Sequence, residues 1–158
     1  MAQYAVREIV DTVLSELEKA SDISLQDART LSEEVRKKAA ERGVNAVVAV
    51  SNRAGHPVLV ECMDNSYIAS YDVAVNKAFT VVSLKMSTSQ LKPLSQPGCS
   101  LYGIQFTNNG KIVIFGGGEP LCNSKGDIIG GLGVSGGTEE QDTALAEYGK
   151  QLFEKGRK

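Results

Sequence analysis

Histidine occurs once in this chain, at position 56, and tryptophan not at all. A single imidazole leaves little with which to build the His-containing ligand sets that hold catalytic zinc. The three cysteines, Cys62, Cys99 and Cys122, do not supply the deficit, because they are widely spaced and form no C-x-x-C pair. They read as free thiols in a reducing compartment, and no metal site is expected. Long apolar runs are also missing. Nothing approaches the roughly 20 consecutive apolar residues that span a bilayer, and the amino terminus has no basic flank, apolar stretch and small-residue cleavage site. A cytoplasmic protein without a membrane partner is expected. Charge of one sign is not in excess: 17 Lys and Arg face 19 Asp and Glu, for a formal net charge of -2. With the signs interleaved along the chain, no basic block offers nucleic acid a counterion-release footprint. No G-K-[ST] follows any glycine run, which excludes a phosphate-binding loop of the nucleotide-hydrolysing kind.

The 158 residues that are present suffice for one ordinary core. From Tyr4 to Lys19, the apolar residues Val6, Ile9, Val10, Val13, Leu14 and Leu17 recur every three or four positions. At 100° per residue they form a stripe about 140° wide on one amphipathic helix. Ser24 with Asp27 three residues later starts a second helix carrying Leu25, Ala28, Leu31 and Val35, which Gly43 ends; Glu33–Lys37 and Glu34–Lys38 pair on its solvated side. Ala46–Val50 and Pro57–Met63 read as a hairpin about Asn52-Arg53-Ala54-Gly55, and a third helix runs from Ile68 to Leu84. Pro93 and Pro97-Gly98 break the stretch Ser87–Ser100 into a short helical turn and a loop. Asn108-Asn109-Gly110 predicts a tight hairpin joining Ile104–Thr107 to Lys111–Phe115. Ser124-Lys125-Gly126 predicts another between Pro120–Cys122 and Asp127–Val134, before a last helix capped by Thr138 and Gln141 and running to about Phe153. Segregated hairpins and helices imply an α+β fold: an antiparallel sheet of about five strands with helices packed on it, preceded by the amphipathic helix. The expected division is residues 1–22 for that helix and 23–158 for the domain.

Four pieces of the sequence carry a family likeness. They are the hairpin VVAVSNRAGHPVLVECMDNS, the helix signature Ser70, Ala74, Lys77, Ala78, Thr80, the run FGGGEPL from Phe115 to Leu121, and IIGGLGVSGGTEEQD from Ile128 to Asp142. In this order and spacing the stretch Ser24–Gly149 resembles the GlcG/HbpS/PduO carboxy-terminal-domain family. Met63-Asp64 stand as in that family, whereas Asn65-Ser66 replace its Gly-Ala and Cys62 its frequent Arg. The resemblance implies a profilin/PAS-like architecture, assembly into homo-oligomers, and a haem or related tetrapyrrole such as cobalamin as ligand. A haem iron takes an axial His, Met, Cys or Tyr. The one histidine lies at a hairpin tip rather than on a helix facing a cavity, so the sequence supplies no clear axial ligand. Residues 1–22 resemble the encapsulation peptides that tether cargo inside bacterial microcompartments, with Ile9, Val10, Val13, Leu14 and Leu17 filling the pattern. That resemblance implies a shell protein as partner and the interior of a microcompartment as location. The alternative is a helix that packs on its own domain or on another copy.

The candidate ligand-binding residues are Asp64, Ser70, Lys77, Thr80, Gly117, Gly118 and Glu119. Lys77 falls on a stripe with Ser70, Ala74, Val81 and Leu84, where an ammonium must reach out, pair with a carboxylate or meet an anionic small ligand. Asp64 is the internal partner expected from sequence. The glycines Gly116–Gly118, Gly130, Gly131, Gly133, Gly136 and Gly137 either present N–H groups to an anion or mark close backbone approach. Glu119 has an acid's chemistry, but no second carboxylate, Ser/His or Cys/His partner can be placed beside it. The readings that follow are a tetrapyrrole- or anion-binding accessory protein, an enzyme of a small compartment metabolite using Lys77, Asp64 and Glu119, and a purely structural cargo protein.

Overall fold

A computed structural model describes residues 2–20 and 22–156, with side chains from 5 to 14 and from 22 onward. Helix α1 spans Ala2–Ala20 and α2 Leu25–Glu41. Strands β1 (Val47–Asn52) and β2 (Pro57–Cys62) follow, then α3 (Ile68–Leu84) and the short α4 (Thr88–Leu94). After two 3-10 turns come β3 (Gly118–Cys122), β4 (Ile128–Ser135) and α5 (Glu139–Lys155). The strands form one antiparallel sheet in the order β2-β1-β4-β3.

Alternation along β1 sorts its side chains between two layers. Val48 and Val50 join Leu132 and Val134 of β4 in a core with Ala28, Leu31, Val35 and Ala39 of α2 and Leu145, Ala146 and Phe153 of α5. Val47 and Ala49 point the other way, against Ala74 and Ala78 of α3. On that second face β4 presents Gly131 and Gly133. A Cβ at Gly133 would overlap the carbonyl oxygen of Ala74, and one at Gly131 the carbonyl oxygen of Ala78. These glycines therefore let a helix backbone lie directly on the sheet, which decides between their two readings in favour of close approach.

Local signals set the helix ends. The Ser24 hydroxyl accepts from the Asp27 N–H at 3.0 Å, and both α4 and α5 open on a full capping box, Ser87 with Gln90 and Thr138 with Gln141. The β1–β2 turn is held by the Asn52 side-chain oxygen, which accepts from the N–H groups of Ala54 and His56 at 3.0 Å each. At the sheet's far edge, Pro120 has no N–H to offer and the N–H of Gly118 is taken by the Thr88 hydroxyl at 2.9 Å, so these two positions of β3 cannot donate to a further strand.

The sheet has four strands rather than about five, because Ile104–Thr107 and Lys111–Phe115 do not pair. Ile104–Phe106 forms a 3-10 turn, and Asn108, Asn109 and Gly110, with φ of 51°, 58° and 75°, wind the chain through a second one instead of a two-residue hairpin. The segment beyond finds its partner in a side chain. The Thr80 hydroxyl of α3 accepts from the Val113 N–H at 3.0 Å and lies 3.3 Å from the Lys111 carbonyl, which holds Ile112 and Val113 in the interior.

Helix α1 is present as expected, with its stripe uncovered. Val6, Ile9, Val13 and Leu14 are each more than half exposed and Val10 is 47% exposed, while the side chain of Leu17 lies outside the described residues. No helix among the described residues is long and apolar enough to cross a membrane.

Candidate functional site

Lys77 sits in the middle of α3 with none of its surface exposed. Burial of an ammonium is tolerable only if its protons find acceptors. Its Nζ donates to the Val134 carbonyl of β4 at 2.7 Å and to Asp142 Oδ2 of α5 at 2.9 Å. The Phe115 ring centroid lies 5.1 Å from the same nitrogen, within cation–π range. The partner is therefore Asp142, not Asp64, which stands exposed in the turn after β2. Asp142 is completed by the Gly137 N–H, which donates to Oδ1 at 2.9 Å. Burial pulls the Lys77 amine below its ordinary range and pushes the Asp142 carboxyl above its own, and in each case the other partner opposes the shift.

Around this pair the glycine run before β3 is tied down residue by residue. Gly116 donates its N–H to Glu139 Oε1 at 2.9 Å, and Glu139 Oε2 bridges to Lys92 of α4 at 2.6 Å. The Gly116 N–H and the Lys92 ammonium together hold the Glu139 carboxyl below its usual value. Gly117 adopts φ of 106°, and a Cβ there would lie 2.6 Å from Lys77 Nζ, so the absence of a side chain makes room for the ammonium. The Val134 N–H donates to the Gly117 carbonyl at 2.8 Å. Ser70 is buried too, accepting from the Ser135 hydroxyl at 3.1 Å.

Of the seven candidate ligand-binding residues, the structure thus gathers Ser70, Lys77, Thr80, Gly117 and Gly118 into one interior layer between α3, β4 and the start of α5. Their polar groups bond to neighbouring residues: Ser70 to Ser135, Lys77 to Val134 and Asp142, Thr80 to Val113 and Gly118 to Thr88. Asp64 is elsewhere. Asp142 escaped the sequence reading although a signal was there: it shares a stripe with Leu145, Ala146, Gly149 and Phe153, all buried on α5. An acid on one buried stripe and a base on another call for each other.

Glu119 belongs to a different place. It points from β3 into an open cleft of about 580 Å³ between α4 and α5, lined also by Ser87, Ser89, Glu147, Lys150 and Glu154. Lys150 Nζ reaches Glu119 Oε2 at 3.4 Å, a long contact. Burial pushes the Glu119 carboxyl above its ordinary value, Lys150 pulls it back, and Glu147 and Glu154 push it further. His56 is exposed on the β1–β2 turn, and an exposed aromatic surface lies at the start of α3, where Tyr67 and Tyr71 flank an Ile68 that is 97% exposed.

Comparison with known proteins gives consistent results. A family model described as haem-degrading protein HbpS-like matches residues 23–151. The chain is 40% identical over 140 residues to an uncharacterised 15.0 kDa protein from the dhaT–dhaS intergenic region of Citrobacter freundii, covering 89% of this chain and 98% of that one. It is 36% identical over 130 residues to the corrinoid adenosyltransferase PduO of the same organism, covering 82% of this chain but only 38% of PduO. The crystal structure of a PduOC:heme complex superposes with a TM-score of 0.79 at 35% identity, covering 82% of this chain and 94% of that one.

Proposed function

The chain belongs to the HbpS-like family, and from that membership we propose that it is an oligomeric accessory protein that binds a tetrapyrrole, haem first among them. The observation that carries the reading is the match to the PduOC chain solved with heme, which extends over 94% of that chain. The described residues offer a compatible surface. Tyr67, Ile68 and Tyr71 make an exposed apolar shelf, and a porphyrin needs an apolar face with an iron ligand beside it, for which a tyrosine phenolate is one accepted type. The interior layer around Lys77 then serves as the frame that holds α3 and α5 in place rather than as the ligand's own contacts.

The same proposal makes the protein microcompartment cargo, with α1 as its tether to a shell protein. Two features support this: the family match begins at residue 23, just after α1, and the α1 stripe is uncovered. The adenosyltransferase activity of PduO is not part of the proposal, since this chain spans little more than a third of that protein.

Titrating haemin, and separately cobalamin, into the pure full-length protein while recording absorbance tests the ligand class. A saturable shift of the Soret band with haemin is the expected result. An unchanged spectrum with both compounds refutes tetrapyrrole binding.

A further inference from the structure

The two edges of the sheet are finished differently. At β3 the residues from Gly118 to Leu121 are buried, and neither Gly118 nor Pro120 has an N–H to give. At the other edge, β2 is only half-buried from Val58 to Glu61 and is exposed at Cys62. The Met63 N–H donates to the Ala46 carbonyl at 3.0 Å, and Glu61 and Leu59 stand opposite Val48 and Val50. By alternation the main-chain groups of Leu59 and Glu61 face β1, whereas those of Val60 and Cys62 face away from the sheet. Among the described residues nothing bonds to these outward N–H and C=O groups.

An edge of this kind is ordinarily blunted by a proline, a bulge or a charge. In β2 the first two devices sit together at one end, with Pro57 as its first residue and the bulge opposite Val50 and Ser51. Its one charge, Glu61, is turned towards α2, where it accepts from Ser32 Oγ at 2.6 Å and lies 2.8 Å from Arg36 Nε. The stretch from Val60 to Cys62 is left unguarded.

What fits that stretch follows from its own pattern. The β3 edge of another copy cannot donate at Gly118 or Pro120. The β2 edge of another copy can, because an antiparallel pair about a two-fold axis sets each outward donor against an outward acceptor. Charge then selects the register. An axis at Glu61 would stand two carboxylates directly opposite each other, which is destabilising. An axis at Val60 sets each Glu61 against Leu59 of the second copy and lets the two Val60 residues exchange both main-chain hydrogen bonds. The Val60 side chains, half-buried against Val47, Ala49, Ala74 and Ala78, would cover each other across the axis.

We propose that β2 joins two copies of this chain, antiparallel about Val60, so that their four-stranded sheets run on into each other. Such a pair consumes the open edge of both copies and therefore stops at two instead of growing into a fibre. The inference deepens the oligomeric part of the proposed function and rests on it.

The test follows full-length protein by sedimentation and by amide hydrogen exchange over a wide range of concentration, with reductant present so that the exposed Cys62 and Cys99 form no disulfide. Dimers should form as concentration rises, and exchange at Val60 should slow by about tenfold or more, while Glu61, whose amide already faces β1, changes little. Val60→Pro removes a donor that makes no bond to β1, and should weaken association by about tenfold or more without loss of the folded circular-dichroism spectrum. Val60→Lys sets two ammonium groups across the axis and should weaken it similarly, which serves if the proline disturbs the strand. Association that leaves the Val60 amide fast, or that survives unchanged in a folded Val60→Pro or Val60→Lys protein, overturns this interface while the oligomeric reading stands. A monomer at every concentration overturns both, and the haemin titration decides the ligand separately.

Discussion

Replacing Lys77 by Met removes the buried ammonium while keeping a chain of similar length on the α3 stripe. Little packing is lost, so the cost comes from what remains. Asp142 keeps the Gly137 N–H but loses its 2.9 Å partner, and the Val134 carbonyl loses a 2.7 Å donor. Breaking a buried pair from one side costs about 3–5 kcal/mol, because the orphaned charge stays in a low-dielectric interior. For a domain of this size that is a fall in Tm of about 6–20 °C. Urea unfolding followed by circular dichroism at pH 7 measures it. The double variant Lys77→Met/Asp142→Asn should recover more than half of the loss, since no charge is then left buried. The pH dependence has a definite sign. In Lys77→Met the folded carboxyl has its value raised further, so its stabilising protonated form is present in acid and lost as pH rises through that value. The deficit relative to wild type should therefore shrink as pH is lowered from about 7 towards the ordinary carboxylate range. A Lys77→Met protein within 1 kcal/mol of wild type at pH 7, or a deficit that does not change with pH, would refute the account of the pair.

Gly133→Ala should cost about 1–3 kcal/mol or more, because the new methyl meets the α3 backbone at Ala74 and Ala78 rather than a side chain that can move aside; soluble yield and urea midpoint report it. Glu119→Gln should match wild type in acid and exceed it at neutral pH. Burial raises this carboxyl, so the wild-type group contributes stability below its unfolded value and loses it as pH rises through the folded one; Tm measured across that range decides. Removing residues 1–21 while keeping Asp22 should change the unfolding midpoint little, given the exposure of the α1 stripe, and a large loss of stability would make α1 a structural element. The removed segment fused to a fluorescent protein should enter co-expressed shells, and Val13→Glu with Leu17→Glu should leave the fusion diffuse, because two charges would have to be buried unpaired.

The elements most legible in the sequence are those whose signals are local. The third helix was expected from Ile68 to Leu84 and is found there, and the capping pairs at Ser24 and Thr138 stand where their spacing put them. The salt bridges of α2 show how quickly such reading weakens: Glu33 and Lys37 pair at 2.9 Å, but Lys38 turns to Glu41 rather than Glu34. The hairpin expected about Asn109 failed because positive φ at Asn-Gly is a property of the turn alone. Whether strands flank it depends on partners, and Thr80, distant in sequence, supplied a different one. The Lys77 partner was illegible for the same reason. Asp64 is near in sequence, whereas Asp142 is brought in by the register of β4 and the entry of α5. Close approach at Gly131 and Gly133 likewise required knowing that a helix crosses those two positions.

The junction between α1 and the domain ties the two parts of the proposed function together. The domain is closed from Ile23 onward: that side chain is buried, its N–H donates to the Ile129 carbonyl at 3.1 Å, and Asp22 accepts from the Arg53 N–H at 3.1 Å. Upstream of this anchor, the 19-residue α1 has an uncovered apolar stripe, and most of the stability of an amphipathic helix comes from packing of that face. Fully burying one Val, Ile or Leu contributes about 1.5–3 kcal/mol, and side chains already half covered have about half of that left to give. Five such residues therefore offer about 4–8 kcal/mol, from which ordering the helix and the loss of rigid-body freedom must be subtracted. If α1 is the tether proposed above, a single copy would dock weakly and reversibly on any one shell groove. Several copies carried by one oligomer raise the effective concentration of each further contact, and avidity gains of about 100-fold or more need no new interactions. Under the proposed function, tethering and oligomerisation become one requirement in physical terms: a monomeric form should leave shells on dilution, whereas an oligomer carrying the same helix should stay.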